Sequence, residues 1–196
     1  MKHLLIDTST PSMILMLQDD KKTLDISVRV GKSDHQAYII PLIDELLKRN
    51  KLTKDDLSSV VVGVGPGSYT GLRVGVMTAK MMGYRTNIVI RKVSSLLFLT
   101  SGYKNKVYAW HDARNNQGFS ALYQKGERLS EEALRHMDEL SEEEKALLVN
   151  LKEDTIKVDG SVILAYSEMV VNIFELIPNY LRKTEAESKL DQTSSN

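Results

Sequence analysis

The chain has 196 residues, and its 26 Lys and Arg residues balance its 26 Asp and Glu residues, so the formal net charge is zero. A neutral chain has no long-range field with which to attract nucleic acid by itself. The absence of cysteine excludes disulfides, thiolate nucleophiles and sulfur-based zinc sites, and it is typical of a reducing compartment. Asp7 interrupts the short apolar segment at the N-terminus and no apolar stretch is long enough to span a bilayer, so we expect a cytoplasmic protein with no membrane partner.

The start of the chain predicts a strand meander, because short apolar runs over residues 2–6, 13–17 and 24–30 are separated by turn residues. The next segment predicts a helix over residues 34–50, since apolar residues recur on one face: Ile39, Ile43, Leu46 and Leu47. Pro41 lies inside this helix. An interior proline removes a hydrogen bond and introduces a clash, so the helix must kink there or begin its packed part near there.

A βαβ unit comes next, with a strand over residues 59–64, a helix over 68–82 and a strand over 86–90. Another helix is predicted from about Val93. This order of elements predicts an α/β lobe over residues 1–102.

The strand pattern returns over residues 106–110 and 118–123, which marks the start of a second lobe. The strongest helical pattern of this lobe runs from Ser161 to Ile177 and stops at Pro178. We therefore expect a C-terminal lobe over residues 103–183, and a polar, disordered tail over residues 184–196. Because the second lobe again begins with strands, the order of elements is the one expected of a duplicated α/β fold.

The most specific segment is GPGSYTGLRVG at residues 65–75, which joins a strand to a helix. Gly71, Gly75 and Ala79 recur every four residues and therefore line one nearly bare helix face. Two helical glycines cost about 2 kcal/mol relative to alanine, so something must pack closely there. Two interpretations are open: the protein's own sheet or neighbouring helix, or a helix of another protein.

The same loop satisfies neither common phosphate-binding pattern. No Gly-Lys-Ser/Thr of a Walker A loop follows, and the spacing from Gly65 and Gly67 puts Thr70 where the dinucleotide fingerprint needs glycine. The loop is therefore either a tight turn with Ser68 as helix N-cap or an anion site in which Gly65, Gly67 and Ser68 are remnants of a phosphate loop.

A second polar turn, DTST at Asp7, Thr8, Ser9 and Thr10, directly follows the first strand. It resembles the phosphate loop of actin-like ATPases, which place an aspartate at the end of their first strand and usually a glycine next. The other interpretation is that Asp7 and Thr8 simply hydrogen-bond the turn.

Five segments together resemble the TsaB (YeaZ) family in order and spacing: LLIDTST at 4–10, HQAYIIPLIDELL at 35–47, GPGSYTGLRVG at 65–75, HDAR at 111–114 and YLR at 180–182. The resemblance implies the actin-like, Hsp70-like (ASKHA) duplicated α/β fold, with two small lobes that each pack helices on a mixed sheet. It also implies a subunit of the bacterial machinery that makes N6-threonylcarbamoyladenosine (t6A) at position 37 of tRNAs. The chain is shorter than most members, which implies a reduced C-terminal lobe.

The resemblance further implies a catalytic paralogue, TsaD, as the partner. Whether the TsaE ATPase also binds, and whether a nucleotide lies at the interface with TsaD, are left open. No cofactor is expected on the chain itself, and tRNA is expected only through the complex. Whether Arg73 or Arg114 contacts tRNA is also left open.

Family knowledge places two metal-binding histidines four residues apart on the corresponding first helix of TsaD. Here His35 is followed four residues later by Ile39, so no metal site is predicted. His3, His111 and His136 lack metal-ligand spacing, and no nucleophile or general base can be nominated.

We therefore expect a non-catalytic scaffold that docks on TsaD through its first two helices. The expected contacts are His35, Ile39, Ile43 and Leu46 on the first helix and Gly71, Gly75, Met77, Ala79 and Met82 on the second. The same helices are expected to form a homodimer in isolation. Replacing Gly75 by Leu is expected to block pairing and to leave a folded monomer.

The main alternative is an actin-like ATPase or phosphotransferase. In that enzyme Asp7 would position a metal, and the hydroxyls of Thr8, Ser9 and Thr10 would hold phosphate. A Rossmann reductase is a third interpretation, although the strand after the loop ends at Ile90 and is followed by Arg91, with no acid for a ribose.

Overall fold

A computed structural model describes residues 1–31 and 34–181 of the chain. Five strands from the first half of the chain build the first sheet: β1 (Lys2–Asp7), β2 (Ser12–Asp19), β3 (Thr23–Val30), β4 (Ser59–Gly63) and β5 (Val89–Val93). The first three form the predicted antiparallel meander, and β5 begins three residues later than expected. Because β4 pairs in parallel with β1 and β5 pairs in parallel with β4, the carboxyl ends of these three strands meet at one edge of the sheet.

Two helices of fifteen residues, α1 (His35–Arg49) and α2 (Tyr69–Gly83), cover one face of this sheet. Alternate strand residues point to them: Leu4 and Ile6 of β1 join the core beneath the helices, whereas Leu5 joins the core on the opposite face. α1 continues through Pro41, and its packed part begins at the buried His35, not at the proline.

The opposite face of the first sheet is covered by α3 (Ser95–Thr100) and by the second sheet. Five strands build that sheet: β6 (Val107–Asp112), β7 (Gln117–Gln124), β8 (Glu127–Arg128), β9 (Ala133–His136) and β10 (Leu148–Asn150). β10 is parallel to β6 and the other pairs are antiparallel. Two short helices complete this region: α4 (Glu142–Ala146) and α5 (Gly160–Tyr166). The predicted α/β class with two mixed sheets is confirmed.

The predicted helix over residues 161–177 is wrong beyond Tyr166. There the chain turns to form β11 (Glu168–Met169), which pairs antiparallel with β5 and makes the first sheet six-stranded, in the order β11-β5-β4-β1-β2-β3. The free edge of β5 pairs with the chain after Tyr166. The Arg91 guanidinium donates to the carbonyl and to the hydroxyl of Ser167, where the helix ends. The helical spacing was misleading, because two of the apolar residues at that spacing are highly exposed: Phe174 (70%) and Ile177 (71%).

The segment after β11 lies along α2. Lys80 of α2 donates to the carbonyl oxygens of Phe174 and Leu176, Leu176 is buried in the core, and the Asn179 N–H donates to the Val64 carbonyl. Residues expected in the C-terminal lobe thus contribute a strand and a packed segment to the first sheet. The tail expected to be disordered, residues 184–196, lies outside the described residues. None of the helices in the described part combines the length and the apolar character needed to cross a bilayer.

Candidate functional site

The two segments that the sequence singled out are each other's packing partners. A Cβ atom on Gly67 would lie 2.6 Å from the Ser9 Cβ, one on Gly75 would lie 2.5 Å from the Thr8 Oγ1, and one on Gly71 would overlap the Thr8 carbonyl oxygen. The Thr8 hydroxyl also donates to the Gly71 carbonyl at 2.7 Å. The bare face of α2 therefore packs on the chain's own β1–β2 turn, which agrees with the first of the two interpretations.

This packing corrects most of the expected partner contacts. Seven of the nine residues expected to contact the partner are buried inside the chain: His35, Ile39, Ile43, Leu46, Gly71, Gly75 and Ala79. They cannot contact a partner while the core is intact. Met82 is half-buried and Met77 is 57% exposed, so only these two retain surface. The expectation that Gly75→Leu leaves a folded monomer is also corrected, because a side chain there would meet Thr8 and Val62.

The opposite side of the helices carries apolar side chains in solvent. We define the outer helix surface by the exposed apolar residues of α1, of α2 with the residue that follows it, and of the C-terminal segment: Ile40, Met77, Met81, Tyr84 and Phe174. Met81 is 67% exposed, and the ring of Tyr84 packs edge-on against that of Phe174 with centroids 6.2 Å apart. A cluster of exposed large apolar groups is a feature of interaction sites rather than of ordinary solvent-facing helices.

The hydroxyl groups of the DTST turn make their hydrogen bonds within the protein itself. Asp7 has no exposed surface, its Oδ1 accepts from the Ser9 N–H at 2.9 Å and from the Ser9 hydroxyl at 2.7 Å, and its Oδ2 has no partner. Burial raises the pKa of this carboxyl above its ordinary value, although the hydrogen bonds from Ser9 and the nearby Ser95 hydroxyl oppose the shift. The Thr10 hydroxyl donates to the Ser12 carbonyl. The hydroxyls of Thr8, Ser9 and Thr10 are therefore all used within the fold, as the turn interpretation expects.

The remaining loop residues have local roles. Gly65 takes a φ of +109°, a conformation that favours glycine, and its N–H donates to the Ser95 hydroxyl. The Ser68 hydroxyl accepts from the Gly71 N–H as the expected N-cap of α2.

A cavity of about 380 Å³ opens where the turn, the starts of both long helices and the β6–β7 hairpin meet. Its polar walls come from four elements: Ser9 and Thr10 of the turn, His35 and Gln36 of α1, Ser68 and Thr70 of α2, and His111 and Arg114 of the hairpin. The structure thus brings together three of the expected phosphate-loop residues, Ser9, Thr10 and Ser68, and places His35 with them. It leaves Asp7, Thr8, Gly65 and Gly67 outside.

Two imidazoles line this cavity, and each keeps one buried nitrogen without a hydrogen-bond partner. His35 Nε2 lies 2.9 Å from the Thr10 carbonyl oxygen, so Nε2 carries the proton and Nδ1 is left without a partner. Nδ1 of His111 is also unpartnered, and burial lowers the pKa of His111 to about 4. Sequence reasoning treated His111 as an ordinary polar residue, and the only signal for it was the HDAR segment at the predicted hairpin.

Comparison with known proteins gives the family. The model of the family described as "TsaD: tRNA N6-adenosine threonylcarbamoyltransferase" matches residues 29–159, which is more than half of the chain. The chain is 27% identical to the tRNA threonylcarbamoyladenosine biosynthesis protein TsaB of Bacillus subtilis, over 96% of this chain and 97% of that one. The chain belongs to the TsaD-like family, in its TsaB (YeaZ) group.

Other TsaB and YeaZ proteins agree with this assignment. Escherichia coli TsaB is 29% identical over 65% of this chain and 57% of its own length. The structure of YeaZ from Pseudomonas aeruginosa superimposes with a TM-score of 0.76 and 20% identity, covering 92% of this chain and 99% of that one. The TsaB resemblance is confirmed, and the chain has the YeaZ fold.

Proposed function

We propose that this chain is a non-catalytic scaffold and activating subunit of the complex that makes t6A at position 37 of tRNA, and that it docks on TsaD. Relatives named as tRNA threonylcarbamoyladenosine biosynthesis proteins support the pathway. The outer helix surface supports the docking role, and it is the observation that carries the proposal.

The outer helix surface is suited to a related subunit. The family model for TsaD fits this chain, so a TsaD subunit presents helices equivalent to α1 and α2, and two such pairs can pack about a pseudo-twofold axis. Met77 and Met81 are unbranched and adaptable, which favours packing against a related but non-identical helix pair. The same symmetry lets two copies of this chain pair when TsaD is absent, so homodimer and heterodimer compete.

The closed DTST turn supports a scaffold over an ATPase. Asp7 is fully enclosed and holds a raised pKa, so it is poorly placed to bind a metal–phosphate group. The hydroxyls of Thr8 and Ser9 donate inside the fold. In this proposal tRNA, and any contribution of the TsaE ATPase, reach the chain only through the complex.

The proposal is tested with a Met77→Glu/Met81→Glu double variant. Charges on the outer helix surface would have to be desolvated against the partner, so binding to TsaD should weaken at least about ten-fold, and homodimerisation should weaken with it. Calorimetry with purified TsaD measures the first, and sedimentation of the chain alone measures the second. In a reconstituted mixture, t6A formation should fall in parallel with complex formation.

Val28→Glu is the matched control. Val28 is 53% exposed on β3 and pairs with Ile14, whose side chain joins the core on the sheet face opposite α1 and α2, so the same new charge there should leave TsaD binding unchanged. Unchanged binding by the double variant would remove the docking assignment. Formation of t6A, or ATP turnover lost on Asp7→Ala, by the chain without TsaD would refute the non-catalytic role.

A further inference from the structure

A larger cavity, of about 750 Å³, lies between the first sheet and the β7–β8 hairpin. Four parts of the chain line it: the loop after β4, the end of β5 with the start of α3, the hairpin, and the segment around β11 that returns to the first sheet. Its volume is in the range of small-molecule sites. None of the residues that define the outer helix surface lines it, so it is separate from the proposed docking surface.

A buried carboxylate lines this cavity. Glu132, in the loop between β8 and β9, is 9% exposed. Its Oε1 accepts hydrogen bonds from the hydroxyls of Ser94 and Tyr123. Its Oε2 has no partner within the described residues, yet it is not one of the fully enclosed polar atoms that lack a partner, so it remains reachable from the cavity. Buried carboxylate oxygens are normally hydrogen-bonded, so Oε2 is open to a donor from a ligand.

The two hydroxyls are fixed as donors to Glu132. The Ser94 hydroxyl accepts from the Leu97 N–H as the N-cap of α3, and its proton is directed to the carboxylate. Burial and the Glu132 carboxylate raise the pKa of Tyr123, so this phenol keeps its proton and remains a donor. Neither hydroxyl carries a positive charge. Because buried charges are normally paired, a cationic donor best completes this part of the cavity.

A cation lies next to the same phenol. Arg128 of β8 is in register with Tyr123 of β7, so the two side chains lie on one face of the hairpin. The Arg128 charge opposes part of the rise in the pKa of Tyr123, as expected for a guanidinium close to that hydroxyl. Arg128 makes no hydrogen bond or ion pair within the described part of the chain, Glu132 included. The other two charged residues that line the cavity, Lys92 and Glu168, are paired with each other at 3.5 Å.

Apolar side chains accompany these two charges. Val93 and Leu97 are buried where they line the cavity, whereas Tyr166, Ile177 and Tyr180 line it and remain exposed to solvent. An apolar group bound there would remove part of their surface from water, which is favourable. The cavity therefore combines one open negative charge, one open positive charge and an uncovered apolar wall.

We propose that this cavity binds a small zwitterion, an α-amino acid with an apolar side chain. The ammonium group of the ligand donates to Glu132 Oε2, its carboxylate accepts from the Arg128 guanidinium, and its side chain lies against the exposed apolar residues. Two opposite charges that flank one hydroxyl without touching each other match the two charged ends of such a molecule. The cavity is larger than one amino acid, so it does not restrict the ligand to a short side chain.

The test uses three probes that share one branched apolar group: L-leucine, isoamylamine, which lacks the carboxylate, and isocaproate, which lacks the ammonium group. The ¹⁵N-labelled full chain is titrated with each probe at neutral pH and constant ionic strength, and its backbone amide signals are followed by NMR. L-leucine should give saturable shifts centred on the amides of Ser94, Tyr123 and Glu132. Each analogue should bind at least about ten-fold more weakly, because it loses one charge-assisted contact.

Two variants assign the ends of the ligand. Glu132→Gln keeps an oxygen for the two hydroxyls but replaces Oε2 by an amide donor, so it should weaken L-leucine and isoamylamine at least about ten-fold and leave isocaproate unchanged. Arg128→Gln should weaken L-leucine and isocaproate and leave isoamylamine unchanged. Glu131→Gln and Lys125→Gln are the matched controls, since both residues are exposed neighbours that do not line the cavity, and both variants should bind L-leucine as the wild type does.

Three results would overturn the proposal. They are no saturable shift with L-leucine, binding of either analogue as tight as that of L-leucine, and equal weakening of all three probes by Glu132→Gln, which is the result expected of a purely structural residue. Thermal unfolding of each variant without ligand checks that it is folded before its binding is compared. Because TsaD is not in the sample, the outcome is independent of the docking proposal.

Discussion

The two faces of α2 show how the same helix can serve two kinds of contact. On its inner face, Gly71 and Gly75 are bare because backbone and side-chain atoms of Thr8 occupy the space that a Cβ would need. On its outer face, Met77 and Met81 extend into solvent. The glycine spacing therefore reflects close packing within the chain, whereas the methionines belong to the surface that we propose for docking. Small residues on a helix indicate that another element packs closely against it, but they do not indicate whether that element belongs to the same chain or to a partner.

The largest effect is expected from Gly71→Ala on the inner face. The added methyl group would overlap the Thr8 carbonyl oxygen, and the backbone cannot move aside without breaking the turn. We expect a loss of about 3 kcal/mol or more in the free energy of unfolding, measured by urea denaturation. Gly83→Ala is the comparison: its methyl group would lie 2.5 Å from Cγ1 of the buried Ile90, and because a side chain can shift more readily than a backbone carbonyl, the loss should be smaller. Equal stability of Gly71→Ala and wild type would contradict the close packing.

An intermediate effect on the free energy of unfolding is expected from Asp7→Asn, in the turn on which the inner face of α2 packs. The unfolded carboxyl ionises near 3.8, whereas the native one keeps its proton to higher pH, because burial raises its pKa. The stability contributed by this group is complete below pH 3.8 and is lost as the pH rises through the native pKa. Asn stays neutral and keeps an oxygen for the bonds from Ser9.

Asp7→Asn should therefore be more stable than wild type at pH 8, by on the order of 1–2 kcal/mol, and the advantage should vanish near pH 4. Urea denaturation at the two pH values measures it. Asp55→Asn, on an exposed turn, should change stability by less than about 0.5 kcal/mol at either pH. An unchanged or lower stability of Asp7→Asn at pH 8 would show that the native carboxyl is ionised.

The smallest effect on stability is expected on the outer face. Met81→Ala removes a side chain that is mostly in solvent, so the free energy of unfolding should change by less than about 0.5 kcal/mol. Leu72→Ala, in the same helix but fully buried, should cost about 2–5 kcal/mol. Thermal unfolding of both variants at equal concentration makes the comparison. A large loss in Met81→Ala would mean that the outer face is part of the fold and is not free for a partner.

The parts of the fold that the sequence predicted well are those in which local pattern and tertiary contact agree. The continuous apolar runs of β1 and β2 and the helical spacing of α1 match the residues that the structure buries. The helix prediction failed after Tyr166 because the apolar residues there have helical spacing by chance. The free edge of β5 offers backbone hydrogen bonds to this segment, and no local sequence pattern reveals them. Strand pairing over such a sequence distance overrides local propensity.

The candidate sites were harder to predict from the sequence, because they too depend on contacts between residues that are far apart along the chain. The glycine spacing predicted close packing but not that Thr8, more than sixty residues earlier, would fill the space. His35 and His111 face one cavity only because the β6–β7 hairpin folds back over the start of α1. A lone histidine carries no signal of its own until the fold supplies the groups around it.

The return of the chain's end to the first sheet has a consequence for biosynthesis. The first lobe has nearly all of its strands once residue 93 has been made, yet its last strand and the segment over α2 come from residues 168–181. A nascent chain on the ribosome therefore exposes an unpaired β5 edge until residues 168–181 have left the exit tunnel. A segment made long after β5 thus covers the open edge of the sheet that is made first.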